Sequence, residues 1–213
     1  FGVRMRYYIE NRPLGTAGSV KNAEDFLDET FIVVSGDALT DIDLTKAVSF
    51  HREKGAVATL VLKRVDVPLE YGVVVTDGDG KIIRFLEKPC WGEVFSDTVN
   101  TGIYILSPEV FGYYERDQAF DFGKDLFPLL MKENRSMYGY ITDDYWCDIG
   151  DINAYIQANF DAMEKKVKVD LPGTEIRPGV WTGRDTVIDE TARIEGPCII
   201  GNCCRIKSGA AIG

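Results

Sequence analysis

The chain has 213 residues, 45% hydrophobic and 27% charged, and 24 Lys and Arg face 34 Asp and Glu for a net charge of −10. There is apolar material for one medium domain plus a small appendage, and too much of it for disorder. So acidic a chain suits neither nucleic-acid backbones nor anionic membranes, and with no apolar run near the roughly 18 residues of a membrane span and no signal-peptide pattern, a cytoplasmic location is expected.

The sequence starts at Phe1 rather than Met and stops at Gly213 inside a repeat, so it reads as a piece of a longer chain. Val3 to Ile9 is strand-like. Phe31 to Ser35 is a short apolar run before Gly36-Asp37, which predicts a buried strand. Leu44 to Lys54 has helical spacing with Asp43 as N-cap, and Ala56 to Leu62 is a second buried strand. Asp77-Gly-Asp-Gly80 joins Tyr71–Thr76 to Lys81–Leu86 as a hairpin. A strand over Val99–Leu106, a helix over Phe122–Lys132, a strand over Ser136–Thr142 and a helix over Ile152–Lys165 follow. This alternation predicts an α/β domain with a mainly parallel sheet, whose ligands bind beyond the carboxyl ends of strands.

From Ile176 the character changes. Ile176, Thr182, Ile188, Ile194, Ile200, Ile206 and Ile212 recur every six residues. Four places after the first six come Val180, Thr186, Ala192, Cys198, Cys204 and Ala210, all small or β-branched. Each unit predicts one short strand of a triangular coil, with the aliphatic residue filling the bore. The pattern resembles the hexapeptide repeat of left-handed β-helices. The expected division is therefore an α/β domain over 1–168 and a β-helix over 169–213. The five cysteines form neither a secreted framework nor a paired zinc pattern, and reduced thiols are expected.

Several short segments have chemical uses and equally ordinary ones. Gly15 and Gly18 let a backbone loop approach a flat or anionic ligand, or simply start a helix. Asp37, at the end of a buried strand, could bind a hard cation or serve a cap or turn. Glu87 and Lys88 sit side by side at a strand end, and both reach one ligand only if the backbone kinks there. Asn100, Thr101 and Gly102 offer an amide, a hydroxyl and close approach within a strand. Asp148 stands just before a helix, where capping is the default role.

Their order is more specific than any one of them. Leu14-Gly-Thr-Ala-Gly18, Gly36-Asp37, Glu70-Tyr-Gly72, Phe85-Leu-Glu-Lys-Pro89, Asn100-Thr-Gly-Ile-Tyr104, Phe122-Gly-Lys-Asp125 and Trp146-Cys-Asp-Ile-Gly150 resemble the sugar-1-phosphate nucleotidyltransferases. The wording looks most like the mannose-1-phosphate guanylyltransferase branch. The resemblance implies a Rossmann-like nucleotidyltransferase domain in which Gly15, Thr16 and Gly18 line the nucleotide base. It implies Mg²⁺ held by Asp37 and Asp148, with Asp37, Lys88 and Asp148 as the catalytic set. Tyr71, Gly72, Asn100, Thr101 and Gly102 would border the sugar. Glu87 would take its hydroxyls and Lys88 its phosphate, with Lys124 in support.

The substrates implied are a nucleoside triphosphate, GTP by the closest wording, and a sugar 1-phosphate, with self-association through the β-helix. The family's Gly-rich triphosphate cradle does not occur in this sequence, so residues 1–213 alone are expected to be inactive. Glucose-1-phosphate nucleotidyl transfer and a non-catalytic regulatory paralogue are the alternatives. A hexapeptide acyltransferase is disfavoured because the repeat contains no histidine base.

Overall fold

The computed structural model describes residues 2–213. The chain divides into two compact units, residues up to Gly36 with Asp43–Asp143, and Asp37–Ile42 with Asp144–Gly213.

Six strands form the sheet of the first unit: β1 (Phe31–Val34), β3 (Ala58–Arg64), β4 (Val73–Thr76), β5 (Ile82–Leu86), β6 (Thr98–Leu106) and β7 (Met137–Ile141). The order is β5-β4-β6-β3-β7. β1 and β4 share one edge of β6, β1 alongside Ile103–Leu106 and β4 at Val99. The expectation of a mainly parallel sheet is corrected: β3–β7 is the parallel pair, and β6 runs antiparallel to β1, β3 and β4. For the further antiparallel pair β4–β5 the local cause is visible at the hairpin. Asp77 Oδ1 accepts from the amides of Asp79 and Lys81, and Gly80 takes φ 85°, so the chain reverses without a helical crossover.

Val3 to Ile9 is also corrected. Among the described residues it pairs with no strand and its side chains are largely exposed, since alternating apolar residues form a strand only where an edge receives them. Helix α1 covers Gly15–Lys21, and α2 covers Leu44–Lys54 with Asp43 accepting from the Lys46 amide. Phe122–Leu126 is a π-type turn that runs into α3 (Phe127–Lys132). The core of this unit joins sheet residues Leu60, Leu62 and Tyr104 to Phe122, Phe127 and Leu130. His51 is buried there with Nδ1 2.9 Å from Thr59 Oγ1, a packing role.

In the second unit β2 (Ala38–Thr40) and β8 (Trp146–Asp148) form an antiparallel ribbon, followed by α4 (Ile152–Met163). β9 (Thr174–Arg177) then pairs antiparallel with β10 (Val180–Thr182). Beyond it the pairing becomes parallel: β10 with β13 (Cys198–Ile200), β11 (Val187–Ile188) with β14 (Arg205–Ile206), and β12 (Arg193–Ile194) with β15 (Ala211–Ile212). The offset is 18 residues in all three, three six-residue steps per turn. Val180, Ile194 and Ile200 are buried together, with Ile188, Cys198, Cys204, Ile206 and Ile212 against them. Ile176 departs from the repeat and is 51% exposed, because β9 reverses against β10 before the parallel stacking begins.

Candidate active site

Glycines decide how the first motif packs. α1 begins at Gly15 (φ 71°), so the helix-start reading of this turn is realised. A Cβ on Gly15 would lie 2.7 Å from the Phe120 carbonyl, and one on Gly18 would lie 2.5 Å from that of Gln118. The amides of Ala17 and Gly18 both donate to Phe120 O. Thr16 Oγ1 donates to Asp121 Oδ2 at 2.8 Å and accepts from the Phe122 amide at 2.9 Å. The segment is thereby fastened to residues 118–122, leaving Gly15 and Thr16 exposed and Gly18 buried.

The kink required at Glu87-Lys88 is present. β5 ends at Leu86 and Lys88 takes φ 45°, a left-handed conformation that turns its side chain out of the strand's alternation. Adjacent carbonyls hold the bend: Tyr71 O accepts from the Lys88 amide at 3.2 Å, and Gly72 O from the Asn100 amide at 2.8 Å. Lys88 is exposed, whereas Glu87 points inward. Glu87 Oε2 is buried with no hydrogen-bond partner. A Cβ on Gly72 or on Gly123 would each come within 2.6 Å of that same oxygen. Burial and the neighbouring Asp121 carboxylate push the Glu87 carboxyl above its ordinary range, and the ammoniums of Lys88 and Lys124 offset this only in part.

Between the end of β1 and the start of β4, the middle of β6 is left to other partners. Gly102 takes φ 77°, its carbonyl accepts from the Ser35 amide, and its amide donates to Asn100 Oδ1 at 3.1 Å. β6 bulges here against β3, where the register shifts between Leu60 and Leu62. Thr101 Oγ1 donates to Val61 O, which commits its hydroxyl to the sheet, and Asn100 Nδ2 donates to Tyr104 Oη at 3.0 Å. Tyr104 is buried on Phe122 and Phe127, each with ring centroids 5.0 Å away, and burial lifts its phenol to about 12. An aromatic cluster thus lies beside a half-buried amide and a carboxylate oxygen with no hydrogen-bond partner.

In the second unit the ribbon brings Asp37 and Asp148 to one end. Ala38 faces Asp148, and the Ile149 amide donates to Asp37 O at 2.8 Å. Asp37 is exposed in the turn that enters β2, and Asp148 is the last residue of β8. Capping is the work of other residues: Asp43 caps α2, while Asp151 Oδ1 accepts from the amides of Asn153 and Ala154 and caps α4. Asp148 is therefore not the helix cap. Among the described residues no group of three or more His, Cys, Asp or Glu could hold a metal ion. Asp37 and Asp148 are hard oxygen donors of the type Mg²⁺ takes, an ion that keeps most of its waters and needs only one or two carboxylates.

Asp121 and Gly123 belong to this site by geometry, and the candidate residues of the sequence did not include them. An Asp two residues before a buried Gly, at a helix start beside Lys124, was the available signal.

The nucleotidyl transferase family model matches residues 1–165, and the chain belongs to that family. Among its relatives is the UTP–glucose-1-phosphate uridylyltransferase of Synechocystis sp., 44% identical across 100% of this chain and 59% of that protein. The mannose-1-phosphate guanyltransferase of Candida albicans is 33% identical over 91% of this chain and 54% of its own length. The chain thus spans a little over half of these curated relatives. Of solved structures, HddC from Yersinia pseudotuberculosis in complex with GMP-PN matches with a TM-score of 0.59 and 30% identity, covering 71% of this chain and 64% of that one.

Proposed function

We propose that this protein transfers a nucleotidyl group from a nucleoside triphosphate to a sugar 1-phosphate, releasing pyrophosphate. The observation that carries the reading is Glu87: a buried carboxylate oxygen with no partner, beside an exposed lysine held in a left-handed kink. Such an oxygen asks for a ligand with hydroxyl donors, and Lys88 for an adjoining anion, which together describe a phosphorylated sugar. Asn100 and the backbone of Tyr71, Gly72 and Gly102 would border it, and Thr101 would support the strand. Gly15, Thr16 and Gly18 would carry the base, with Lys124 in support.

A phosphate oxygen of the sugar attacks the α-phosphorus, that O–P bond forms, and the bond to the pyrophosphate oxygen breaks. The nucleophile is already an anion, so no side chain need remove a proton, and catalysis rests on placement and charge neutralisation. Lys88 would orient the attacking phosphate. Asp37 and Asp148 would hold Mg²⁺, which when bound neutralises phosphate charge. The helix cap is Asp151, so capping is not the role of Asp148.

Glucose 1-phosphate with UTP is the first pair to test, on the 44% identity to the Synechocystis protein across the whole chain. Mannose 1-phosphate with GTP is the second, on the guanylyltransferase resemblance and the likeness to the Candida protein. We further propose the domain division 1–168 and 169–213, with the coil winding as a left-handed β-helix that offers a surface for self-association. The 18-residue offset supports three six-residue steps per turn, and the left hand rests on the hexapeptide-repeat resemblance. Pyrophosphate release by the full-length gene product, measured for UTP and GTP against glucose and mannose 1-phosphates, tests the reaction. Release that depends on a sugar 1-phosphate is expected. None with any pair would overturn the proposal.

A further inference from the structure

We propose that Gly123 and Asp121 are positioning residues for the sugar-phosphate site and act through Glu87. Gly123 leaves the space in which the Glu87 carboxylate lies, and Asp121 ties the segment that makes this space to Thr16. The proposal rests on the reading of Glu87 as a sugar ligand.

Gly123 is buried, yet its φ lies outside the left-handed region, so its backbone does not demand glycine. The carboxylate does. A Cβ at Gly123 would meet Glu87 Oε2 at 2.6 Å, Cδ at 3.0 Å and Cγ at 3.5 Å. Those atoms are the far end of a flexible side chain, so an added methyl would displace Glu87 rather than disrupt the fold. Gly72 closes the opposite side, but a Cβ there would also meet the Phe85 ring at 3.0 Å. Gly123 is therefore the wall that can be altered with the least disturbance.

Asp121 fixes that wall. Its Oδ1 accepts from the amides of Gly123 at 2.9 Å and Lys124 at 3.0 Å. Its Oδ2 accepts from Thr16 Oγ1 at 2.8 Å, and its amide donates to Asp125 Oδ2. One carboxylate thus joins the Pro13–Gly18 turn, assigned above to the nucleotide, to the wall of the sugar carboxylate. It also faces Glu87 as a like charge, opposed by Lys88 and Lys124.

In the full-length protein, Gly123→Ala should raise the KM for sugar 1-phosphate at least tenfold and leave that for the triphosphate within twofold. Glu87→Asp, which withdraws the carboxylate by one methylene, should cost far less in the Gly123→Ala background than alone. Equal rises in both KM values, or strict additivity, would make Gly123 an ordinary packing residue and overturn the proposal. A second readout needs no turnover: the ¹³C titration of the Glu87 carboxyl, identified by its loss in Glu87→Gln. Its midpoint should fall in Gly123→Ala, which moves the group toward water, and in Asp121→Asn, which keeps the cap but removes the charge. An unmoved midpoint in Gly123→Ala overturns the positioning role. Absence of turnover in the unaltered protein would overturn the reaction instead, and the titration still decides the positioning.

Discussion

A carboxylate oxygen enclosed by Gly72 and Gly123 loses its hydration on folding and regains no hydrogen bond until a ligand supplies one. Because burial raises the Glu87 carboxyl above its ordinary 4.5, its contribution favours folding below that pH and is lost as pH rises through the raised value. Above that raised value the ionised group therefore opposes folding. Glu87→Gln should raise thermal stability there, by on the order of 1 kcal/mol, while sugar-phosphate affinity falls at least tenfold. Calorimetric melting and a KM comparison at pH 7.5 check both halves, and a destabilised variant would refute the first. Asp148 and Asp151 supply a matched pair at the same scale. Asp151→Ala should lose about 1 kcal/mol of stability, as removal of a helix cap does, with turnover little changed. Asp148→Asn should leave melting nearly unchanged and lower turnover on the order of a hundredfold. A reversal of the two patterns would return Asp148 to a structural role.

Among the elements, local signals and structure agree where the chain punctuates itself. α2 with its Asp43 cap and the Asp77–Gly80 turn were legible because each depends on residues within four positions. The kink at Lys88 was legible only as a condition, since a left-handed lysine is held by Tyr71 O, seventeen residues away in the chain. Outside that hairpin, strand direction was not legible. An apolar run carries no mark of its neighbour's direction, and β6 takes antiparallel partners on both edges. Close packing between strands gives a test. A Cβ on Gly139 of β7 would lie 2.4 Å from Leu62 Cδ1 and 2.8 Å from Thr76 Cγ2. Gly139→Ala should therefore lower stability by about 1–3 kcal/mol in urea denaturation, despite alanine's better intrinsic propensity in a strand.

Across the molecule, each turn of the coil is stabilised chiefly by its neighbours, so one bore residue supports two layers. Ile200 is buried against Val180 and Ile194, and its carbonyl accepts from the Gly183 amide. Ile200→Ala should cost about 3 kcal/mol, read as faster hydrogen exchange at the amides of Gly183 and Glu195, which donate to neighbouring turns. Unchanged protection would mean that the coil is held by its backbone pairing alone. The sequence by itself determined the period of that coil, the Asp43 cap and the hairpin, and the family that a dispersed set of motifs resembles. All of these are local patterns, or patterns repeated at fixed spacing. Tertiary structure alone decided that Asp148 is not a cap, that Thr16 is fastened to Asp121, and that Gly123 walls a carboxylate 36 positions earlier. Those facts depend on which backbones approach within a few ångströms, and spacing along a chain does not contain that distance.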